Sequence, residues 1–431
     1  MTSTYRLPYG RGAPYGIGVK ELRLETAAQV TEVLPSKVAG APDPIAKVAA
    51  AISQPLGDRG LKTFAGARSA AVAINDKTRP VPHAAMLPPL LRALEALGLS
   101  PESITLIIAT GTHIPTRPEA FGEVVPPEVL ARYPVISHDC DAPDLVPLGT
   151  TSRGTPIRIN RQFMEADLRV VVGNVEPHHF AGFSGGVKSG AIGLAARETI
   201  TTNHSLLRDP QAALAIYEEN PLRQDIEEIG RAADIHLALN VVMNDHKEIV
   251  EAFAGDPWSV MAAALPHVRR IYEVEVPEPF DVIITCPGGY PKDINLYQSH
   301  KAVSCANRVT REGGTIILVA ACEDGAGSQG YESYMARGFE SHEAVMRQFV
   351  QEPFQIGPHK AFIFARDAVR LKDIFVVSEM APERVRSLLL TPATLEEAVE
   401  AAISPLPPTA RVGIMPYANA TIPVLSQLKE E

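Results

Sequence analysis

From Ser69 the chain reads strand, loop, helix, strand, and that order constrains its fold more than any other feature. The apolar run Ala70-Ala-Val-Ala-Ile ends in Asn75 and Asp76. A loop comes next, Lys77-Thr-Arg-Pro-Val-Pro, then a helical stretch from Ala84 to Leu97, then a second apolar run, Ile104-Thr-Leu-Ile-Ile-Ala, ending in Thr110-Gly-Thr and His113. Two strands joined by a helical crossover form a right-handed βαβ unit of a parallel sheet. A third apolar run, Leu168-Arg-Val-Val-Val, also stops abruptly in polar chemistry. Ligands of open α/β sheets bind outside the carboxyl ends of the strands. Asp76 and Arg79 after the first strand, His113 after the second and the polar segment after the third are therefore expected along one edge, with Asp76 and Arg79 free to pair with each other.

The third strand leads into the run Val-Glu-Pro-His-His-Phe-Ala-Gly-Phe-Ser-Gly-Gly-Val-Lys from Val175 to Lys188, with Asn203-His204 beyond it. This stretch gathers His178, Lys188 and His204 around a flexible loop, Ala181 to Gly193, that holds five glycines. Glycines let backbone approach a ligand and turn amides toward an anion, so Gly185 and Gly186 are candidate phosphate contacts. The loop is not a P-loop, because Val187 separates Gly186 from Lys188. His178 and His204 suit either metal ligation or proton transfer, since neutral imidazole does both near pH 7.

The 431 residues suffice for two domains with sizeable cores. A formal charge of −10 argues against a nucleic-acid partner, which selects a basic surface. The N-terminus lacks a signal-peptide core and no apolar run is long enough for a bilayer, so a cytoplasmic protein with no membrane partner is expected. Cys140, Cys286, Cys305 and Cys322 are scattered and read as buried apolar residues. A strand is expected from Leu237 to Met243 and a helix from Pro257 to Tyr272. The acidic, proline-interrupted stretch from Glu273 to Phe280 reads as a linker. A second α/β pattern begins at Asp281, passes the Pro287 to Asp293 loop and a helix from Asn295, and returns at Thr315. The fold class is thus two α/β domains with largely parallel sheets, 1–275 and 276–431, with the active site in the cleft between them. The strand Arg411-Val-Gly-Ile-Met fits either sheet. In the second domain, Tyr297 and Lys301 share a helix face with Gln298 adjacent, a grouping suited to a small carboxylate.

Six short motifs, Asp76-Lys-Thr-Arg-Pro, Gly111-Thr-His, Glu176-Pro-His, Gly185-Gly-Val-Lys, Asn203-His and Tyr297-Gln-Ser-His-Lys, occur in the order found in the nickel-pincer nucleotide-dependent lactate racemase family, which the chain resembles. The resemblance implies a racemase or epimerase of a 2-hydroxy carboxylic acid. It implies a nickel-bearing, nicotinic-acid-derived pyridinium-3,5-bisthiocarboxylic acid mononucleotide attached covalently at Lys188, with His204 as the protein ligand to nickel. It implies His113 and His178 as the paired acid/base residues, Arg79 and Lys301 on the substrate carboxylate, and Asp76 and Gln298 in support. Maturation enzymes that build the cofactor would be partners. The resemblance leaves the acid open: the only tryptophan, Trp258, lies before the linker, whereas lactate-specific members carry one in the second domain, in a region corresponding here to Gly357-Pro-His-Lys-Ala-Phe. Two other readings compete. One is a metallohydrolase with zinc on His113, His178 and His204, although no tight ligand spacing is present. The other is a non-catalytic nucleotide-binding protein, which leaves the titratable groups at the strand ends unexplained.

Overall fold

The computed structural model describes residues 2–12 and 16–426. The chain divides into two compact units, one of Lys37–Ile271 and one that joins the residues up to Ser36 to those from Tyr272 onward. The division expected at residue 275, with everything before it in one domain, is corrected by this finding. The strand Gln29–Glu32 pairs in parallel with Arg411–Met415. The antiparallel hairpin of Thr2–Gly12 and Gly16–Glu25 sends Leu7, Leu22 and Leu24 into the same core as Val282, Ile284, Val412 and Ile414. The supposed linker is also structured: Glu273–Val276 pairs in parallel with Ile422–Leu425. Alternating acidic and apolar residues there are those of a half-covered strand, a pattern the flanking prolines obscure.

In the Lys37–Ile271 unit a six-stranded sheet runs in the order Ile249–Gly255, Leu237–Met243, Leu168–Asn174, Ala70–Asn75, Ile104–Ala109, Val135–Ser137. All neighbours are parallel except the antiparallel edge strand Ile249–Gly255. Every residue of Ala70–Asn75 and of Leu237–Met243 is buried. Strands covered on both faces read as unbroken apolar runs, which is why they were legible. The crossover helix His83–Glu95 buries Met86, Leu87, Leu90, Leu91 and Leu94 against one face. From Ala70–Asn75 the chain proceeds to one side of the sheet, and from Leu168–Asn174 to the other. Between these two strands the winding reverses, and the crevice at their carboxyl ends is where a doubly wound sheet accepts ligands.

The other unit has a second six-stranded parallel sheet, ordered Thr391–Pro392, Asp373–Val377, Thr310–Val319, Phe280–Thr285, Arg411–Met415, Gln29–Glu32. The strand from Arg411 thus joins this sheet. The helix from Asn295 forms as expected over Leu296–Asn307, with Asn295 Oδ1 accepting from the Gln298 amide at 3.0 Å as its cap. All four cysteines are free and buried. Among the described residues no helix is long and apolar enough to cross a membrane.

Leu22→Ala tests the placement of the N-terminal hairpin. Leu22 is 2 % exposed, and a truncation of this kind costs about 2–5 kcal/mol. Hydrogen exchange measured by mass spectrometry is expected to show faster exchange in Phe280–Thr285 and Arg411–Met415, with Ala70–Asn75 unchanged. Faster exchange confined to Ala70–Asn75 would refute the assignment.

Candidate active site

The crevice at the strand reversal is lined by Asn75, Arg79, Thr110, His113, Gly185, Lys188 and His204, among others, and has a cavity volume of about 80 Å³. Residues from three strand ends and the adjoining loop therefore meet in one cavity, while His178 and Asp76 are not among those lining it. Asp76 stands behind it. Its side chain is 4 % exposed and its Oδ2 accepts from His113 Nδ1 at 2.7 Å, while the His113 side chain is 44 % exposed. The carboxylate is hidden and the imidazole reaches the opening. Asp76 Oδ1 accepts from the Thr78 hydroxyl at 2.7 Å and the Thr78 amide at 3.1 Å. Burial alone would raise the Asp76 pKa, but the hydrogen bonds from His113 and Thr78 and the charge of Arg79 outweigh it and hold the carboxyl below its usual range. The pairing of Asp76 with Arg79 allowed by the sequence is replaced by the bond to His113, and Arg79 is exposed at the cavity.

An ionised Asp76 accepts only, so His113 donates from Nδ1 and its neutral ring carries the lone pair on Nε2. His178 is arranged in the opposite sense. It lies on the two-residue strand Pro177–His178, paired with Gly182–Phe183, and its Nδ1 accepts from the Ala181 amide at 3.3 Å. Its neutral ring therefore carries hydrogen on Nε2. The His178 ring meets the edge of Phe180 at 4.8 Å, and Phe180 meets the His204 ring at 5.2 Å. Phe180 thus packs against both imidazoles, a role its apolar side chain did not advertise in the sequence.

The glycine-rich segment is not the flexible loop the sequence suggested. At Gly185, φ is +84° and an added Cβ would meet Val175 Cγ2 at 2.6 Å; at Gly186, φ is +57° and it would meet Met261 Cγ at 2.6 Å. The glycines are present because the backbone is packed in a left-handed conformation. The Gly186 amide donates to Asn240 Oδ1 at 2.7 Å, so Gly186 shapes the loop and its N–H is not available to a phosphate. Arg223, fully buried, clamps the segment. Its guanidinium donates to the carbonyls of Phe183 at 2.9 Å and Gly185 at 3.1 Å, and pairs with buried Glu227. A buried arginine requires partners for its fork of donors, and the loop carbonyls supply them. Sequence reasoning missed Arg223, whose only signal was a charged residue on the buried face of an amphipathic helix.

Lys188 opens a short helical turn, Lys188–Ala191, at the base of this segment. It is 8 % exposed. Burial first, then the positive charges of Arg79 and Arg223, push its pKa well below the ordinary lysine range, against weaker opposing effects of Glu176 and Asp76. A buried amine biased toward its neutral form is a nucleophile. His204, near the end of the helix Arg197–Ser205, lies against the buried Asn203.

In the other unit Tyr297 and Gln298 are half-buried and Lys301 is exposed on the helix Leu296–Asn307. The structure adds Lys360, 4 % exposed, with Nζ 4.4 Å from the centre of the Tyr297 ring. Burial and the charge of Lys301 push the Lys360 ammonium down to about 7. Among the described residues, the only group of three histidine, cysteine or acidic side chains with ligand atoms mutually within 4.8 Å is Asp139, Cys140 and Asp141. His113, His178 and His204 do not converge in this way, which removes the geometric basis of the zinc reading.

A family model for the lactate racemase N-terminal domain matches residues 15–215, and one for the C-terminal domain matches residues 276–422. The chain belongs to the lactate racemase family. It is 31 % identical over 373 residues to the lactate racemase of Thermoanaerobacterium thermosaccharolyticum, covering 85 % of this chain and 87 % of that one. It is 32 % identical over 373 residues to the lactate racemase of Lactiplantibacillus plantarum, with the same coverage. The solved structure of the Thermoanaerobacterium lactate racemase apoprotein superposes with a TM-score of 0.89 at 27 % identity, over 99 % of this chain and 100 % of that one. A Thermotoga maritima protein shares the fold alone, with a TM-score of 0.64 at 18 % identity over 90 % of this chain and 100 % of that one. Membership makes the chain an isomerase of the racemase type.

A titration tests the electrostatics of Lys188. In protein made without cofactor and labelled at lysine Cε, carbon NMR is expected to show one amine titrating far below the rest and absent from Lys188→Met. Arg79→Met should shift that amine upward, because a nearby positive charge is removed. A Lys188 resonance titrating with the surface lysines would refute the reading.

Proposed function

We propose that this protein racemises a 2-hydroxy carboxylic acid, with lactate the first candidate because its named relatives are lactate racemases, by moving the Cα hydrogen together with its electron pair. The observation that supports this best is a single cavity gathering Arg79, His113, the buried amine of Lys188 and His204. These residues fit a nickel-pincer nucleotide. Lys188 offers a buried amine biased toward neutrality for covalent attachment, His204 an imidazole for the metal, and the packed segment at Gly185 and Lys188 a rigid seat. When bound, that cofactor supplies a centre that accepts the Cα hydrogen with its electron pair and returns it.

The chain supplies the rest of the chemistry. The Cα–H beside a carboxylate is a poor acid, so removal as a proton by imidazole is unfavourable, whereas the hydroxyl proton can pass to imidazole as the Cα hydrogen leaves with its electron pair and the oxygen becomes a carbonyl. His113 receives it on Nε2, and buried Asp76 stabilises the imidazolium that results, as an orienting carboxylate does in other acid/base sites. His178 would enter the return step as an imidazolium, its second proton taken from solvent, and would protonate the oxygen from the other side when the keto acid has presented its opposite face, being left neutral. In a forward turnover His113 thus gains a proton and His178 loses one, exchange with solvent resets both, and the reverse reaction exchanges the roles. Arg79 would hold the carboxylate; the resemblance also gives Lys301 to the carboxylate and Gln298 to a supporting role, and Tyr297 shares the helix face of Lys301.

Two measurements test this reading. Protein produced together with the maturation enzymes is expected to carry nickel and a covalent mass addition that Lys188→Ala abolishes; an unchanged adduct on intact-mass spectrometry would remove the tether. In D₂O, L-lactate is expected to yield D-lactate that retains protium at Cα. Substantial deuterium at Cα in the initial product, read by proton NMR before equilibrium, would restore direct proton abstraction by the two histidines.

A further inference from the structure

Asp225 lies on the helix Pro221–Ala232 and is fully buried. It was not singled out in the sequence, and the chemistry above does not use it. Three donors converge on it. The Thr151 hydroxyl donates to Oδ1 at 2.6 Å, and the Thr155 hydroxyl and Asn203 Nδ2 each donate to Oδ2 at 2.8 Å. Thr151 and Thr155 flank the turn joining the antiparallel strands Val146–Thr150 and Pro156–Ile159, so one carboxylate ties that hairpin to the helix carrying His204. A buried carboxylate is costly unless satisfied, and these donors satisfy it.

The consequence reaches His204 through Asn203. Asn203 Nδ2 faces two groups that only accept, Asp225 Oδ2 at 2.8 Å and the Leu222 carbonyl at 3.1 Å. The atom between them must be the amide nitrogen, which leaves no freedom to flip the Asn203 amide. Its Oδ1 is therefore the atom that faces His204 Nδ1, at 3.1 Å. An amide oxygen only accepts, so the neutral His204 ring must place its hydrogen on Nδ1 and its lone pair on Nε2.

We propose that Asp225 is a positioning residue which, through Asn203, fixes the His204 tautomer so that Nε2 is the nitrogen presented to a metal. The inference rests on the reading of His204 as a metal ligand. The remaining ring nitrogen of a ligating histidine commonly donates to an outer partner that fixes ring orientation, and loss of such partners costs about 10- to 100-fold in metal affinity. Here that partner is an amide held by a carboxylate. The carboxylate matters because it accepts from two sides and never donates, which denies Asn203 the flipped orientation.

The test begins with protein lacking the cofactor, labelled with ¹⁵N-histidine and observed by two-bond nitrogen–proton correlation at about pH 8.5, where an ordinary histidine is neutral. His204 is assigned by loss of its signals in His204→Gln. The wild type is expected to show hydrogen on Nδ1. Asn203→Ala and Asp225→Ala, with folding checked by circular dichroism, are expected to lose that tautomer preference and, in cofactor-loaded protein, to weaken nickel retention by about 10- to 100-fold. Hydrogen on His204 Nε2 in the wild type overturns the inference, and this measurement stands even where a variant does not fold. A folded Asp225→Ala that keeps both the tautomer and the nickel also overturns it. A loaded wild type without nickel overturns the metal reading of the site, and this inference with it, while the tautomer measurement shows whether the hydrogen-bond chain exists.

Discussion

The reversal of strand order between Ala70–Asn75 and Leu168–Asn174 is the constraint on which the site depends. Parallel strands cannot be joined by tight turns, so each crossover carries the chain over a face of the sheet. Two crossovers leaving in opposite directions open a crevice that no main-chain connection fills. Asn75 and Asn174 mark its floor. Ser189 donates to Asn75 Oδ1 at 3.0 Å, tying the turn that carries Lys188 to the end of the Ala70–Asn75 strand. The crevice therefore comes with a lysine fixed at its base.

Rigidity at that base comes from buried polar groups. Arg223 holds the carbonyls of Phe183 and Gly185, Asn240 holds the Gly186 amide, and Asp225 holds Asn203. None of these side chains lines the cavity. Each removes an alternative conformation from a group that does, or from its immediate neighbour. Burial makes each bond costly to lose, because the group left behind has no water to turn to. The same burial keeps the Lys188 amine from holding its proton as strongly as an exposed lysine. Structural support and chemical activation therefore have one cause.

Much of the first unit was legible because its sheet is covered on both faces. Val170 to Val172 in one strand and Leu106 to Ile108 in another must be apolar throughout, and polar residues begin where the strands stop. His113, Lys188 and His204 could be singled out because their chemistry is rare at such positions. The N-terminal hairpin was misplaced for the converse reason. Its strands are amphipathic and partner with residues at the far end of the chain, and local pattern carries no record of a partner so distant. Arg223, Asp225 and Lys360 escaped notice because a charged residue on a helix is ordinarily solvated, and only packing shows that these are enclosed.

The sequence by itself determined the parallel α/β class, the ends of the strands and the residue types able to carry the chemistry, since these depend on the local alternation of apolar and polar side chains. Tertiary structure decided which of those residues share a cavity, to which unit the first 36 residues belong, and which nitrogen of each histidine bears hydrogen. Those matters depend on partners distant in sequence: His113 takes its tautomer from Asp76, and His204 takes its own through Asn203 from Asp225. A hydrogen bond is fixed by where two groups meet in space, and a linear pattern specifies only the groups.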